Sequence, residues 1–217
     1  MLIRPAAGGD AVGLADVHVR AWRVAYRGLV PQAHLDRMDP VARVPGWEQW
    51  IREVRPPAGI FVLDDGGTVA GFVTVSAGPE PGTGEINAIY LAPEHWGQGA
   101  GRQLMSFAVD HLTRAGFRES VLWMLGSNER ARRFYEAGGW VPDGVSRVDE
   151  SRGAPLTEIR YRRSLASAAG FASGGPAVSA AGGFAVSAAG GFAAAAPGEE
   201  GGGEGADGQG EQADLTG

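Results

Sequence analysis

Glycines alternate with other residues in the stretch WGQGAGRQL (96–104). Gly97, Gly99 and Gly101 stand between an apolar run that halts at Pro93 and an amphipathic run that starts near residue 99. Glycine reaches backbone angles closed to other residues and leaves no side chain in front of its amide. At a strand-to-helix junction such a run lets successive N–H groups converge on one point, where the helix dipole adds positive potential. The helix that follows opens with Arg102 and no acidic residue. Its first turn thus supplies none of the negative charge that a helix N-terminus favours. The loop suits an external anion such as a phosphate or pyrophosphate; a tight turn needing glycine for its angles alone is the alternative.

Two familiar anion loops fail on spacing. The dinucleotide pattern GxGxxG needs a third glycine where Arg102 stands if it starts at Gly97, and where Leu104 stands if it starts at Gly99. The P-loop GxxxxGK[ST] finds no match.

Charge divides the 217 residues in two. From Ala166 onward there is no Lys or Arg but six of the 25 acids, so the net charge of -6 belongs to that segment. The first 165 residues balance 19 acids against 19 basic residues. A neutral body argues against nucleic acid as a partner held by a broad basic field. With no cysteine, and four histidines lacking ligand spacing, neither thiolate chemistry nor a metal site is expected. The N-terminus lacks a secretory h-region, and the uncharged residues 164–198 are too rich in Ala, Gly and Ser to enter lipid. No membrane association is expected, and the location expected is cytoplasmic.

The segment 166–217 carries a degenerate eight-residue repeat, GGPAVSAA, GGFAVSAA and GGFAAAAP, followed by an acidic glycine-rich end. Such repeats bury too little apolar area to offset chain entropy, so a disordered appendage is expected there. Residues 1–165 read as one domain. LIR before Pro5 is a strand, and residues 10–27 are helical in period with Asp10 as a candidate cap. Pro31–Met38 can hold a short helix. IFVLDDGGTVAGFVTVSAG is a hairpin turning at DDGG, with Val69, Gly71, Val73 and Val75 alternating. EINAIYLAP is a strand, Gly99–Ala115 a helix, SVLWML a strand and SNERARRFYEAGG a helix. GWVPDG and LTEIRYRRSL close the domain as strands. The order β-α-α-β-β-β-α-β-α-β-β is that of an α/β (α+β) domain.

WGQGAGRQL after the strand EINAIYLAP, then SNERARRFYEAGGW after another strand, resembles the GNAT superfamily of N-acetyltransferases over about residues 1–163. That family's signature is Arg/Gln-x-x-Gly-x-Gly/Ala. Gly99 and Gly101 match its glycines, whereas Trp96 stands where Arg or Gln is usual. A second motif, Asn-x-x-Ala-x-x-Phe-Tyr followed by Gly-aromatic, is matched by Asn128, Ala131, Phe134, Tyr135, Gly139 and Trp140. The resemblance implies a mixed central sheet of about seven strands with flanking helices. It also implies acetyl-CoA as the donor of an acetyl group to an amine.

Residue roles follow from that likeness. The loop Gly97, Gln98, Gly99, Ala100, Gly101 and Arg102 would hold the pyrophosphate through backbone N–H groups. The Arg102 side chain is either a phosphate partner or an ordinary surface residue. The strand before the loop carries a bulge in this family, so Ile89, Tyr90 and Leu91 would meet the pantetheine arm. A backbone N–H near Ile89 would polarise the thioester carbonyl. Asn128 and Ala131 belong to the second motif, and Asn128 would hydrogen-bond the pantetheine. Tyr135, two turns further along one helical face, would be the general acid at the sulfur. Glu85 is the candidate base through water, with Asp36, Glu94 and His34 as alternatives.

The aromatic and basic stretch VHVRAWRVAYRGLVP and the loop after it would shape the acceptor pocket, with Trp22, Tyr26 and His34 as its candidates. The acceptor would be an amine of a small molecule or a peptide, and a homodimer is one assembly open to the chain. The competing reading is an acyl-CoA sensor that binds without turnover. A scaffold acting through the C-terminal segment is a third.

Overall fold

A computed structural model describes residues 1–165; the C-terminal segment, with its expected disorder and repeats, lies outside the described residues. The order of elements is β1 (Leu2–Pro5), α1 (Ala11–Ala25), α2 (Gln32–Arg37), α3 (Pro40–Glu53), β2 (Gly59–Asp65), β3 (Thr68–Ala77), β4 (Thr83–Leu91), α4 (Ala100–Arg114), β5 (Glu119–Leu125), α5 (Glu129–Ala137), β6 (Val141–Asp149) and β7 (Leu156–Ser164). The seven strands form one mixed sheet in the order β1-β2-β3-β4-β5-β7-β6. Only β4 and β5 pair in parallel.

Each face of the sheet carries its own core. On one side Leu104, Ala108 and Leu112 form the buried stripe of α4 against Val73, Val75, Ile86 and Ile89, joined by Phe134 and Tyr135 of α5. Each buried leucine contributes about 2 kcal/mol. On the other side α1 buries Leu14, Ala15, Trp22 and Tyr26 against Val62, Phe72 and Tyr90. The DDGG hairpin forms as expected. Gly66 and Gly67 have φ of 62° and 91°, the pair of positive angles a two-residue I′ turn demands. Asp64 accepts from the Gly67 amide at 2.7 Å.

Two local expectations need correction. Helix α3 was not foreseen, because Pro40, Pro45 and Gly46 crowd a stretch without clean periodicity. Pro40 nevertheless sits at the first helical position, where its missing N–H costs nothing, and Asp39 caps the helix through the Val41 amide. Trp47, 2% exposed, anchors the helix to the sheet. Asp10 does precede α1 but makes no side-chain cap to it. Its carboxylate instead accepts from the Ala7 amide and both terminal nitrogens of Arg4, which in turn reaches Asp64 of β2. That pairing depresses the Asp10 pKa, chiefly through the Arg4 hydrogen bonds.

Candidate active site

The site begins where two parallel strands part. β4 pairs with β5 only from Thr83↔Glu119 to Ile86↔Leu122. Directly after Ile86 comes a bulge: Val75 of β3 faces Ile86 and Thr74 faces Ala88, leaving Asn87 as the extra residue. An extra residue bends its strand and sharpens the local twist. Beyond it β4 continues to Leu91 while β5 stays with β7, and a gap opens between them.

Backbone polarity in that gap follows from the ladder. The Ala92 amide donates to the Ala70 carbonyl at 2.9 Å. In an antiparallel ladder alternate residues bond to the partner strand, so Ala88, Tyr90 and Ala92 face β3. The amides of Ile89 and Leu91 therefore point into the gap. The Leu91 carbonyl points the same way and accepts from the Trp96 indole N–H at 2.9 Å.

The glycine loop lies at the mouth of the gap. Gly97 and Gly99 have φ of 80° and 85°, and Gly99 is the left-handed residue that precedes α4. A Cβ at Gly99 would meet nothing within 4 Å, so backbone angle is what demands glycine there. Gly101 is different: it is buried in the first turn of α4 and has no positive φ. The amides of residues 97 to 101 donate to no carbonyl among the described residues, whereas the Arg102 amide is bonded to the Gly99 carbonyl at 3.0 Å. The set of unbonded amides is thus one residue shorter than the run Gly97 to Arg102 expected from sequence. The first turn of α4 contains no acid.

Tyr135 belongs to the core on the α4/α5 face. It is 0% exposed, and its hydroxyl has no hydrogen-bond partner among the described residues. A buried unpaired hydroxyl costs free energy and invites a functional explanation. Tyr26 and Tyr90 approach from the opposite core. Burial, then its neighbour Tyr90, holds Tyr135 well above an ordinary phenol. Burial, then Tyr90 and Tyr135, does the same to Tyr26. Burial also raises Tyr90, although Trp22 and Tyr26 beside its hydroxyl pull the other way. Three phenols from two cores therefore lie near one another, and all stay protonated near neutral pH. Asn128 caps α5, its side-chain oxygen accepting from the Ala131 amide at 3.0 Å. Its NH₂ and the second lone pair of that oxygen stay available to a ligand.

The acceptor-side candidates do come together. Trp22 lies 4.5 Å from Tyr26 and 6.0 Å from His34 between ring centroids. Tyr90, expected along the pantetheine, has its side chain on this side instead, 6.5 Å from Trp22 and stacked at 5.1 Å on His18. Burial pushes His18 down to about 3, with Arg43 adding to the effect, so its ring is neutral. His34 is lowered in the same direction, first by burial and then by Arg152.

Two residues near the gap were missed from sequence. Arg152, in the turn between β6 and β7, stands 5.2 Å over the Trp22 ring and is ion-paired to Glu158 and Asp149. No local pattern announces a contact across 130 positions. Arg130, the second x of Asn-x-x-Ala, lies with its guanidinium carbon 4.3 Å from the Trp96 ring centroid.

Glu85 is half-buried on the last stretch of β4 still paired to β5, opposite Val121. Burial raises its pKa, against the lowering effect of Arg147 and then Arg160. Two of its three rivals are engaged elsewhere: Glu94 holds Arg20 at 2.6 Å, and exposed Asp36 accepts from Gln32 at 2.7 Å. Among the described residues no helix is long and apolar enough to cross a membrane.

The model of the acetyltransferase (GNAT) family matches residues 17–140. An uncharacterized N-acetyltransferase of Bacillus subtilis, YuaI, is 31% identical over 72% of this chain and 89% of its own length. Among solved structures, the acetyltransferase yncA from Salmonella typhimurium, determined with acetyl-CoA, aligns with a TM-score of 0.58 at 21% identity over 79% of this chain and 98% of its own. The PaiA N-acetyltransferase from Thermoplasma acidophilum, determined with coenzyme A, aligns with a TM-score of 0.56 at 16% identity over 75% and 98%. Sequence motifs, sheet order and these likenesses agree: the chain belongs to the GNAT acetyltransferase family.

Proposed function

We propose that the protein moves an acetyl group from acetyl-CoA directly onto a primary amine of a small molecule or a peptide. The fit of the donor rests on features of this chain. The free amides of residues 97–101 suit a diphosphate. The Ile89 and Leu91 amides suit the amide-bearing pantetheine arm and the thioester oxygen, whose negative charge grows during attack. The acceptor would enter from the side of Trp22, Tyr26 and His34.

The single observation that carries catalysis over passive binding is the buried, unpartnered hydroxyl of Tyr135. As the amine nitrogen bonds to the acetyl carbon and the carbon–sulfur bond breaks, the sulfur gains charge. Tyr135 donates its hydrogen bond to that sulfur. A thiol has a pKa of about 8.5, and Tyr135 is held above an ordinary phenol. The phenol is the weaker acid, so it parts with its proton only as the amine's own proton replaces it. Glu85 lies about 13 Å along the strand from Ile89 by strand rise, and it takes the amine's other proton through water. Raised by burial, its carboxylate is a stronger base than an exposed one.

Tyr135→Phe tests the reading. It keeps the ring and removes the hydroxyl, so kcat should fall about 100-fold while acetyl-CoA affinity stays as it was. Unchanged turnover would remove Tyr135 from the chemistry.

A further inference from the structure

The glycine loop of this chain lacks the side chain that its family usually places first. Trp96 occupies that position and cannot carry charge, and its indole N–H is spent on the Leu91 carbonyl. The ring is thereby fixed at the foot of the loop, next to Gly97. Lying over that ring at 4.3 Å is the guanidinium of Arg130, from the first turn of α5.

Arg43, Arg130 and Arg163 are half-buried and make no ion pair among the described residues, and of these three Arg130 is the one that lies over the Trp96 ring beside the glycine loop. Arg147, Arg160 and Arg162 each hold carboxylates at 2.6–3.2 Å. Arg130 makes no ion pair among the described residues, and its Nε is buried without a hydrogen-bond partner. Its neighbour Glu129 points to Arg132, 3.6 Å away. A stacked indole orients a guanidinium without neutralising it, and the planar fork still has donors to offer. Burial lowers its pKa, the sign of a cation left uncompensated. Two unsatisfied donor sets therefore flank Trp96: the amides of residues 97–101 and the Arg130 fork. Both suit one dianionic group.

We infer that Arg130, carried on the Trp96 ring, is the cation that grips the diphosphate of the acyl donor, replacing from α5 the side chain that the loop lacks. This rests on acetyl-CoA being the donor. Trp96 is then a positioning residue and Arg130 a binding residue.

Calorimetric titration of the full-length protein tests it, using coenzyme A, dephospho-coenzyme A (which lacks only the ribose 3′-phosphate) and pantetheine. Arg130→Ala should weaken both coenzyme A and dephospho-coenzyme A about tenfold or more, and flatten the salt dependence. Pantetheine binding should not change. Trp96→Ala should weaken coenzyme A in the same direction. Trp96→Arg placed on Arg130→Ala should recover affinity to within about threefold of the parent, which a merely structural role for Arg130 would not allow. Melting temperatures of the unliganded variants check that all are folded. If Arg130→Ala binds coenzyme A like the parent, the inference fails while the donor assignment stands. A loss seen with coenzyme A but absent with dephospho-coenzyme A places Arg130 on the 3′-phosphate and overturns the diphosphate assignment. A parent protein that binds no coenzyme A overturns the donor itself.

Discussion

At the scale of single residues, protonation decides the chemistry. Glu85 is the base of the proposed chemistry, and burial is what raises its affinity for a proton. Its folded pKa is raised, so the folded state holds the proton more tightly than the unfolded chain does. Stability is then greatest below the unfolded pKa and is lost as pH rises through the folded value. Glu85→Gln removes that penalty. The variant should melt higher than the parent at pH 8 and equally at pH 4, while kcat/KM falls about 100-fold and loses its acidic limb. Thermal melts and a pH–rate profile check both halves, and an unchanged profile would pass the base role elsewhere. The sequence proposes Tyr135 from its offset within the second motif and Glu85 from its place at the start of the strand before the glycine loop. It missed Tyr90's orientation and Arg152's position, which depend on which sheet face a strand presents and how a distant turn folds back.

At the scale of elements, the glycine loop and the β4 bulge act together. The loop leaves the amides of residues 97–101 unbonded, as the proposed grip on a diphosphate requires, and the bulge precedes the Ile89 and Leu91 amides that point toward the gap. Gly99→Ala isolates the loop. Forcing a Cβ into φ of 85° costs about 1–2 kcal/mol even though the space beside it is open. Chemical denaturation should register that loss, and the displaced amides should weaken coenzyme A binding. A variant with parental stability would mean that the left-handed turn is dispensable. The loop, the hairpin at Gly66–Gly67 and most strands were legible through glycine spacing or apolar runs, whereas the largely exposed β6 was read only as GWVPDG and in fact continues to Asp149. Helix α3 was not legible. Its evidence is a proline at the first helical position and one deeply buried tryptophan, a tertiary stabilisation that periodicity does not record.

At the scale of the molecule, the two cores lie on opposite faces of a single sheet, and the proposed donor and acceptor sides draw on both. The described body closes on itself at its C-terminal end. Leu165, 6% exposed, donates its amide to the Arg118 carbonyl at 2.8 Å just after β7. Removing residues 166–217 should therefore leave the melting temperature and its rise with acetyl-CoA unchanged; a loss of that rise would give the C-terminal segment a part in binding. All 19 basic residues of the chain are arginines, and it has no cysteine. The protein therefore presents no thiol and no lysine amine of its own to an acetyl-transfer assay. The most direct measurement is to supply acetyl-CoA with aminoglycosides, polyamines, amino acids and N-terminal or lysine peptides in turn, and to follow free thiol. Direct transfer predicts coenzyme A release with one acceptor class, in step with acetylation of its amine. Binding of acetyl-CoA without release against any acceptor would contradict catalysis and leave a protein that only senses the donor.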